Sequence, residues 1–126
     1  MRILVDTGVM IDHLRGLKEA TTYLADTKSR GTGLWSVSVV RTEVLAGMLP
    51  KEEKATRAFL DQIEWLDVDL KLADHAGDLA RKYLKSHPGV DTVDYIVGAS
   101  AEALDADLAT TNVKHFPMFP DLRKPY

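Results

Sequence analysis

The sequence has no cysteine and no long apolar run, and both absences narrow the class of protein. Without cysteine, disulfide bonds, thiolate catalysis and zinc sites built on cysteine are excluded. No segment approaches the roughly 20 consecutive apolar residues of a membrane-spanning helix. The first apolar run, at residues 3–5, meets an acid at once and is too short for a signal peptide. These absences fit a soluble protein of the reducing cytoplasm, which is the localisation that we expect.

Positive charge is not in excess either. The 126 residues include 16 lysines and arginines against 19 aspartates and glutamates, and the formal net charge is -3. This balance disfavours binding of nucleic acid through bulk positive charge, but it leaves room for an enzyme that holds metal ions on acids. A hydrophobic fraction of 45% in a chain of this length is enough for one core. We therefore expect residues 1–126 to form a single domain.

Short apolar segments alternate with segments of helical periodicity. The strand patterns cover residues 3–5, about 33–36, 64–68 and 107–111, and the helical patterns cover residues 8–16, 17–28, 39–49, 51–63, 70–87 and 92–104. Thr7 and Ser38 are candidate N-caps. Strands that alternate with helices predict an α/β fold with a parallel sheet. In such sheets the active site lies outside the carboxyl ends of the strands, which is where Asp6 is expected.

The tripeptide Asp6-Thr7-Gly8 also surrounds the catalytic carboxylate of aspartic proteases. A protease of this length would work as a homodimer in which each copy gives one such tripeptide, and it would need a β-rich chain. More than half of this sequence instead carries helical periodicity, which outweighs a three-residue match. The sequence therefore favours an acid of another kind at position 6.

Four polar residues fall where an α/β fold gathers its strand ends and helix starts: Asp6, Glu43, Asp94 and Asn112. Carboxylates held close together repel one another and are costly to desolvate, and a divalent cation removes that conflict. Mg²⁺ and Mn²⁺ prefer oxygen ligands and need only a few carboxylates. Each residue also has a structural interpretation, as a helix cap, an exposed acid, a first-turn acid or a turn residue. Together the four residues predict a site at which a metal ion activates water against a phosphodiester.

Histidine and basic residues give weaker signals. The four histidines are scattered, at positions 13, 75, 87 and 115, and no pair has the helical ligand spacing that zinc sites use. A metal-free ribonuclease with two catalytic histidines stays open, although no spacing supports it. Arg41 lies two residues before Glu43, so it is expected either to meet a phosphate or to pair with an acid.

Four segments, in this order, resemble the PIN-domain ribonucleases, and among them the VapC-type toxins of toxin–antitoxin pairs: ILVDTGVMIDHLRG, SVVRTEVLAG, VDYIVGASAEAL and ATTNVKHFPMF. The resemblance covers nearly the whole chain. It implies a three-layer α/β/α sandwich with a central parallel sheet, and Mg²⁺- or Mn²⁺-dependent cleavage of RNA, usually by a homodimer. It also implies a cognate antitoxin, a small protein whose C-terminal segment lies over the active-site groove.

The resemblance further implies a role for each of four residues. The three acids of the family match Asp6, Glu43 and Asp94, which are expected to be catalytic, with the metal on Asp6 and Asp94 and help from Glu43. A fourth acid is common after the last strand, and here Asn112 stands in its place as the fourth expected catalytic residue. An amide at this position disfavours a second metal ion.

Other functions are compatible with the same residues. A PIN-fold module that binds RNA without cutting it would have the same fold, and a magnesium titration with single-stranded RNA separates the two. A nuclease directed at DNA stays open because recognition of the 2′-hydroxyl group is not readable from these residues. A receiver-like phosphoacceptor would need paired acids at the first strand and a lysine after the last one, whereas this first strand ends in a single acid and the role of Lys114 is ambiguous.

Overall fold

Four β-strands and six α-helices alternate along the chain in the computed structural model, which describes residues 1–126. In chain order the elements are β1 (Arg2–Val5), α1 (Thr7–Leu14), α2 (Lys18–Ser29), β2 (Gly33–Val37), α3 (Ser38–Ala46), α4 (Glu53–Leu60), β3 (Glu64–Leu66), α5 (Leu70–Tyr83), α6 (Thr92–Leu104) and β4 (Asp107–Ala109). Single turns of 3-10 helix, Pro50–Glu52 and Val113–His115, precede α4 and follow β4. None of the helices combines the length and the apolar character that crossing a bilayer would require.

The strands form one parallel sheet in the order β3-β2-β1-β4, with the helices packed around it. This arrangement confirms the predicted α/β/α fold with a central parallel sheet. At the centre, Leu4 of β1 is in register with Trp35 of β2 and Leu108 of β4. The chain moves from β1 to β2 and β3 on one side and returns to β4 on the other side, so the strand order reverses between β1 and β4. Ligand sites of open α/β sheets lie at the carboxyl ends of the strands at such a reversal.

The hydrophobic core covers both faces of the sheet. Leu4 and Val5 point to opposite faces, since successive side chains of a strand alternate, and both are fully buried. The helix α6 is buried along much of its length, including Tyr95, Val97 and Ala99, as its small and apolar residues predict. The packing on both faces fixes where β1 ends, and therefore where the next residue is placed.

The ends of several elements differ from the sequence prediction. Asp6 caps the first helix instead of Thr7, because Asp6 has extended backbone angles and its carboxylate accepts a hydrogen bond from the Thr7 N–H. Ser38 is the first residue of α3, and Val37 occupies the cap position without a side-chain hydrogen bond. The helix α5 ends at Tyr83 instead of continuing to residue 87, and β3 and β4 stop at residues 66 and 109. Strand length depends on pairing with a distant strand, which a local pattern does not reveal.

Candidate active site

Asp6 lies at the reversal point of the sheet, directly after β1. Its backbone N–H donates to the Ala109 carbonyl at 2.9 Å, which continues the pairing of β1 with β4. Asp6 is only 7% exposed, and its Oδ1 accepts from the Thr7 N–H at 2.8 Å while its Oδ2 accepts from the Thr110 hydroxyl at 2.7 Å. The tripeptide Asp6-Thr7-Gly8 thus joins a parallel strand to a helix, and it lacks the β-rich frame of an aspartic protease. Both oxygens of the carboxylate are held in place, one by the start of α1 and the other by the end of β4.

Glu43 reaches the same edge of the sheet from α3, which begins directly after β2. Its Oε1 accepts a hydrogen bond from the Thr7 hydroxyl at 2.7 Å. Thr7 therefore contacts two of the predicted acids, through its N–H to Asp6 and through its hydroxyl to Glu43. Glu43 is exposed, and no protein donor occupies its second oxygen, Oε2. That oxygen is free to accept a proton from a solvent or substrate molecule.

Asp94 approaches the edge from the first turn of α6. It forms a capping box with Asp91, in which the Asp94 N–H donates to Asp91 Oδ1 at 3.0 Å and the Asp91 N–H donates to Asp94 Oδ2 at 3.1 Å. The Nδ1 of His115 lies 3.1 Å from the same Asp94 Oδ2. Asp94 Oδ2 thus caps the start of α6, as the structural interpretation of a first-turn acid predicts. The other oxygen, Oδ1, has no protein partner.

Asn112 follows β4 and precedes the 3-10 turn that carries His115. Its backbone N–H donates to the Thr110 hydroxyl oxygen at 3.0 Å, and the hydroxyl hydrogen of Thr110 is donated to Asp6. The side chain of Asn112 is exposed and makes no capping hydrogen bond. The backbone of Asn112 therefore helps to fix Asp6 through Thr110, while its side-chain amide is available to a ligand.

Burial and repulsion between acids make Asp6 and Asp94 harder to ionise. Burial is the main cause that raises the pKa of Asp6, and the negative charge of Asp91 adds to it, while hydrogen bonds and the charge of His115 act in the opposite direction. The pKa of Asp94 rises from 3.8 to about 6, mainly because of burial, with further repulsion from Asp91 and Asp6. Acids whose charged forms repel one another at short range are the groups that a nearby cation stabilises.

The donor chemistry of the edge fits a hard divalent cation. Asp6, Glu43 and Asp94 offer carboxylate oxygens, and no lysine or arginine forms an ion pair with any of them. As the side chains are arranged, however, no group of three or more histidine, aspartate or glutamate residues surrounds a common ion position. Protein donors engage both oxygens of Asp6 and one oxygen of Asp94. The assignment of these three acids as metal ligands stays a prediction.

Two residues of this edge escaped the sequence prediction. Thr110 is fully buried and links Asp6 to Asn112. The only feature of the sequence that indicates its role is its place at the end of a predicted strand, two residues before Asn112. His115 pairs with Asp94 but is one of four scattered histidines in the sequence. The sequence does place His115 three residues after Asn112, and a single turn of helix brings residues at that spacing to one side.

Comparisons with known proteins agree with this fold. A family model described as PIN domain matches residues 3–119. The chain is 46% identical to Ribonuclease VapC19 of Mycobacterium tuberculosis, over 98% of each chain. It is also 38% identical to Ribonuclease VapC10 of the same organism, over 98% of this chain and 92% of that one.

Two solved structures have the same architecture. A toxin–antitoxin complex from Klebsiella pneumoniae contains a chain with a TM-score of 0.82 and 25% identity, and the match covers 98% of both chains. VapBC2 from Rickettsia felis, bound to a DNA fragment from its promoter, contains a chain with a TM-score of 0.80 and 18% identity, over 93% of this chain and 94% of that one. The second likeness shows the fold alone. On the family model and the two relatives, the chain belongs to the PIN-domain family, among its VapC-type members.

Proposed function

We propose that this chain is a metal-dependent endoribonuclease and the toxin component of a toxin–antitoxin pair, which hydrolyses phosphodiester bonds of RNA. The observation that carries the proposal is the placement of Asp6, Glu43 and Asp94 at the same edge of the sheet, with Thr7 between Asp6 and Glu43 and no lysine or arginine paired with any of the three acids. The two relatives that are named ribonucleases match this chain along nearly its whole length, which supports RNA as the substrate.

Asp6 and Asp94 are the residues that would hold Mg²⁺ or Mn²⁺, with Glu43 at the margin of the site. The raised pKa values of Asp6 and Asp94 support this assignment, because the cost of ionising both carboxylates is offset by a bound cation. Bound there, the cation would neutralise charge on the phosphate and favour deprotonation of water. A single cation fits better than two, since Asn112 offers an amide where a further carboxylate would be needed.

Glu43 is the residue that receives the proton of the attacking water. Its Oε1 is held by Thr7, so its Oε2 is the oxygen that accepts the proton. The water oxygen forms a bond to phosphorus, the bond from phosphorus to the 3′-oxygen breaks, and the leaving 3′-oxygen takes up a proton from solvent. The products are a 5′-phosphate and a 3′-hydroxyl. The side-chain amide of Asn112 donates a hydrogen bond to a non-bridging phosphate oxygen.

The proposed partners are RNA, a second copy of this chain and a small cognate antitoxin. The solved neighbour from Klebsiella pneumoniae, which is a toxin–antitoxin complex, supports the antitoxin. The antitoxin would cover the edge that carries Asp6 and would keep RNA away from it until the antitoxin is removed. Because its substrate is cellular RNA, we place the protein in the cytoplasm.

The test is cleavage of a labelled single-stranded RNA by the purified chain, with DNA of the same sequence as a second substrate and with Mg²⁺ or Mn²⁺ titrated in. We expect metal-dependent cuts that leave 5′-phosphates in the RNA, and loss of cleavage in Asp6→Ala and Glu43→Gln. Glu53→Gln, at an exposed glutamate of α4 that contacts none of the predicted site residues, is the matched control and should stay active. Binding without cleavage would identify a non-cleaving module, and cleavage of DNA alone would identify a deoxyribonuclease. Full cleavage by Asp6→Ala would contradict the proposed site.

A further inference from the structure

Arg41 of α3 is held against an aromatic ring instead of an acid. Its guanidinium carbon lies 5.2 Å from the centroid of the Trp65 ring in β3. The ring itself is fixed, because its indole N–H donates to the Leu60 carbonyl at 3.0 Å. Both Arg41 and Trp65 are half-buried. The sequence left open whether Arg41 pairs with an acid or meets a phosphate, and the structure removes the first possibility.

The positive charge of Arg41 is not neutralised within the chain. The arginines that form ion pairs, Arg57 with Glu53 and Arg81 with Asp78, do so with exposed acids of their own helices, and Arg41 forms no such pair. A guanidinium that stacks on an aromatic ring keeps the N–H donors along its edge free, and their planar fork matches a phosphate. Arg41 is therefore a positioned cation whose hydrogen-bond donors face no protein acceptor.

The position of Arg41 relative to the acids suits a second contact on the same strand of RNA. Arg41 and Glu43 are two residues apart on α3, which places them about 200° apart around the helix. Glu43 accordingly faces Thr7 at the start of α1, whereas Arg41 faces β3. Because β3 lies two strands from β1 in the sheet, the strands that carry Trp65 and Asp6 are about 10 Å apart at the usual strand spacing.

We propose that Arg41, positioned by Trp65, binds a backbone phosphate of single-stranded RNA next to the phosphodiester that is cut. The inference rests on the proposed nuclease function and adds a substrate-binding contact outside the acidic edge. Arg41 binds the RNA strand through one charged, bidentate contact, so it contributes to affinity and to the direction in which the strand lies. It does not take part in proton transfer.

The chain offers a matched control at the opposite end of the sheet. The guanidinium carbon of Arg2 lies 5.2 Å from the centroid of the Trp35 ring, the same distance as in the Arg41 pair. Arg2 begins β1 and donates to the Leu104 carbonyl at 3.0 Å, so it lies at the amino edge of the sheet, away from the acids. Removing the charge of Arg2 changes the net charge of the protein by the same amount as removing that of Arg41.

The experiment measures binding of a fluorescein-labelled single-stranded RNA of mixed sequence by fluorescence anisotropy, over a range of salt concentrations. Binding is measured with Mg²⁺ in a Glu43→Gln background, which keeps the acceptor for Thr7 but removes the proposed proton acceptor. Arg41→Ala should weaken binding roughly tenfold at low salt, and it should reduce the slope of log affinity against log salt by about 0.7, the value for one phosphate of a single strand. Arg41→Lys should keep the slope and bind with intermediate affinity, and Arg2→Ala should bind like the parent.

The cleavage assay with unsubstituted Glu43 separates this inference from the proposed function. Arg41→Ala should there raise KM and leave kcat nearly unchanged, and a thermal melt confirms that each variant is folded. Metal-dependent cleavage by the parent together with an unchanged salt slope in Arg41→Ala overturns the role of Arg41 and leaves the nuclease intact. Equal losses of RNA affinity in Arg41→Ala and Arg2→Ala overturn the role of Arg41 as well, because the loss would then follow from the lower positive charge of the whole protein. Reduced RNA binding by Arg41→Ala in a protein that cuts no RNA supports the contact and contradicts the nuclease.

Discussion

Replacing Asp94 by asparagine should stabilise the metal-free protein at neutral pH, although it removes a proposed metal ligand. In the native structure burial raises the pKa of Asp94 to about 6, and repulsion from the charges of Asp91 and Asp6 contributes to the rise. Asparagine has the same shape and can still accept the Asp91 N–H in the capping box. It carries no charge, so the repulsion and the desolvation cost disappear. The residue that favours metal binding is therefore a residue that weakens the fold when no metal is present.

The magnitude follows from the difference in pKa between the folded and the unfolded chain. A rise from 3.8 to about 6 sets an upper bound of about 3 kcal/mol on the destabilisation. The Asp94 side chain is 15% exposed, so solvent screens part of this energy, and asparagine also loses the contact of a carboxylate oxygen with Nδ1 of His115. We expect a net gain of about 1–2 kcal/mol, which corresponds to roughly 4–8 °C in melting temperature.

The stability gained by Asp94→Asn should depend on pH, and the raised pKa of Asp94 fixes the direction of that dependence. Because the native state binds the proton of Asp94 more tightly than the unfolded state does, the stability of the native state falls as the pH rises from about 4 to about 6. The advantage of Asp94→Asn should therefore be complete at pH 7.5 and should vanish near pH 4. Thermal melts of EDTA-treated protein at several pH values measure it, with Asp74→Asn at an exposed position of α5 as the control. A variant that melts below the parent at pH 7.5, or a difference that does not change with pH, would refute the reasoning.

Two further substitutions test how the site is supported. Thr110→Val keeps the buried shape but removes the hydroxyl that donates to Asp6. The free energy of unfolding, measured in urea, should fall by about 1–3 kcal/mol, and RNA cleavage should slow. Unchanged stability would show that this hydrogen bond does not hold the carboxylate. Gly8→Ala places a Cβ 3.0 Å from the Thr111 hydroxyl oxygen, so we expect slower RNA cleavage by a protein whose melting temperature is close to the parent's. Adding Thr111→Ala should restore the rate by removing the contact, and a double variant as slow as Gly8→Ala would contradict this explanation.

The sequence was sufficient for the parts of the fold that depend on local patterns. The apolar run before Asp6 identified the central strand, and the small and apolar residues of α6 identified a buried helix, because burial on both sides leaves a continuous apolar pattern. The ends of β3, β4 and α5 were less well predicted, since they depend on pairing and packing with residues far away in the chain. The order of the strands in the sheet is likewise a property of the whole fold.

The candidate site was predictable where its residues follow strands or begin helices. Asp6, Glu43, Asp94 and Asn112 all lie at one edge of the sheet, as their places in the sequence indicated, and their roles in catalysis stay predictions. The role of Thr110 was hidden, because a threonine at a strand end is common and its hydrogen bond joins residues that are 104 positions apart.

Calorimetric titration of the EDTA-treated chain with Mn²⁺ tests most directly whether these carboxylates hold a cation. The parent and Asp74→Asn should bind Mn²⁺ saturably, whereas Asp94→Asn should bind it at least about tenfold more weakly, since even outer-shell partners of a metal site cost that much. Equal affinity of the parent and Asp94→Asn, or no saturable binding by the parent, would contradict the proposed site.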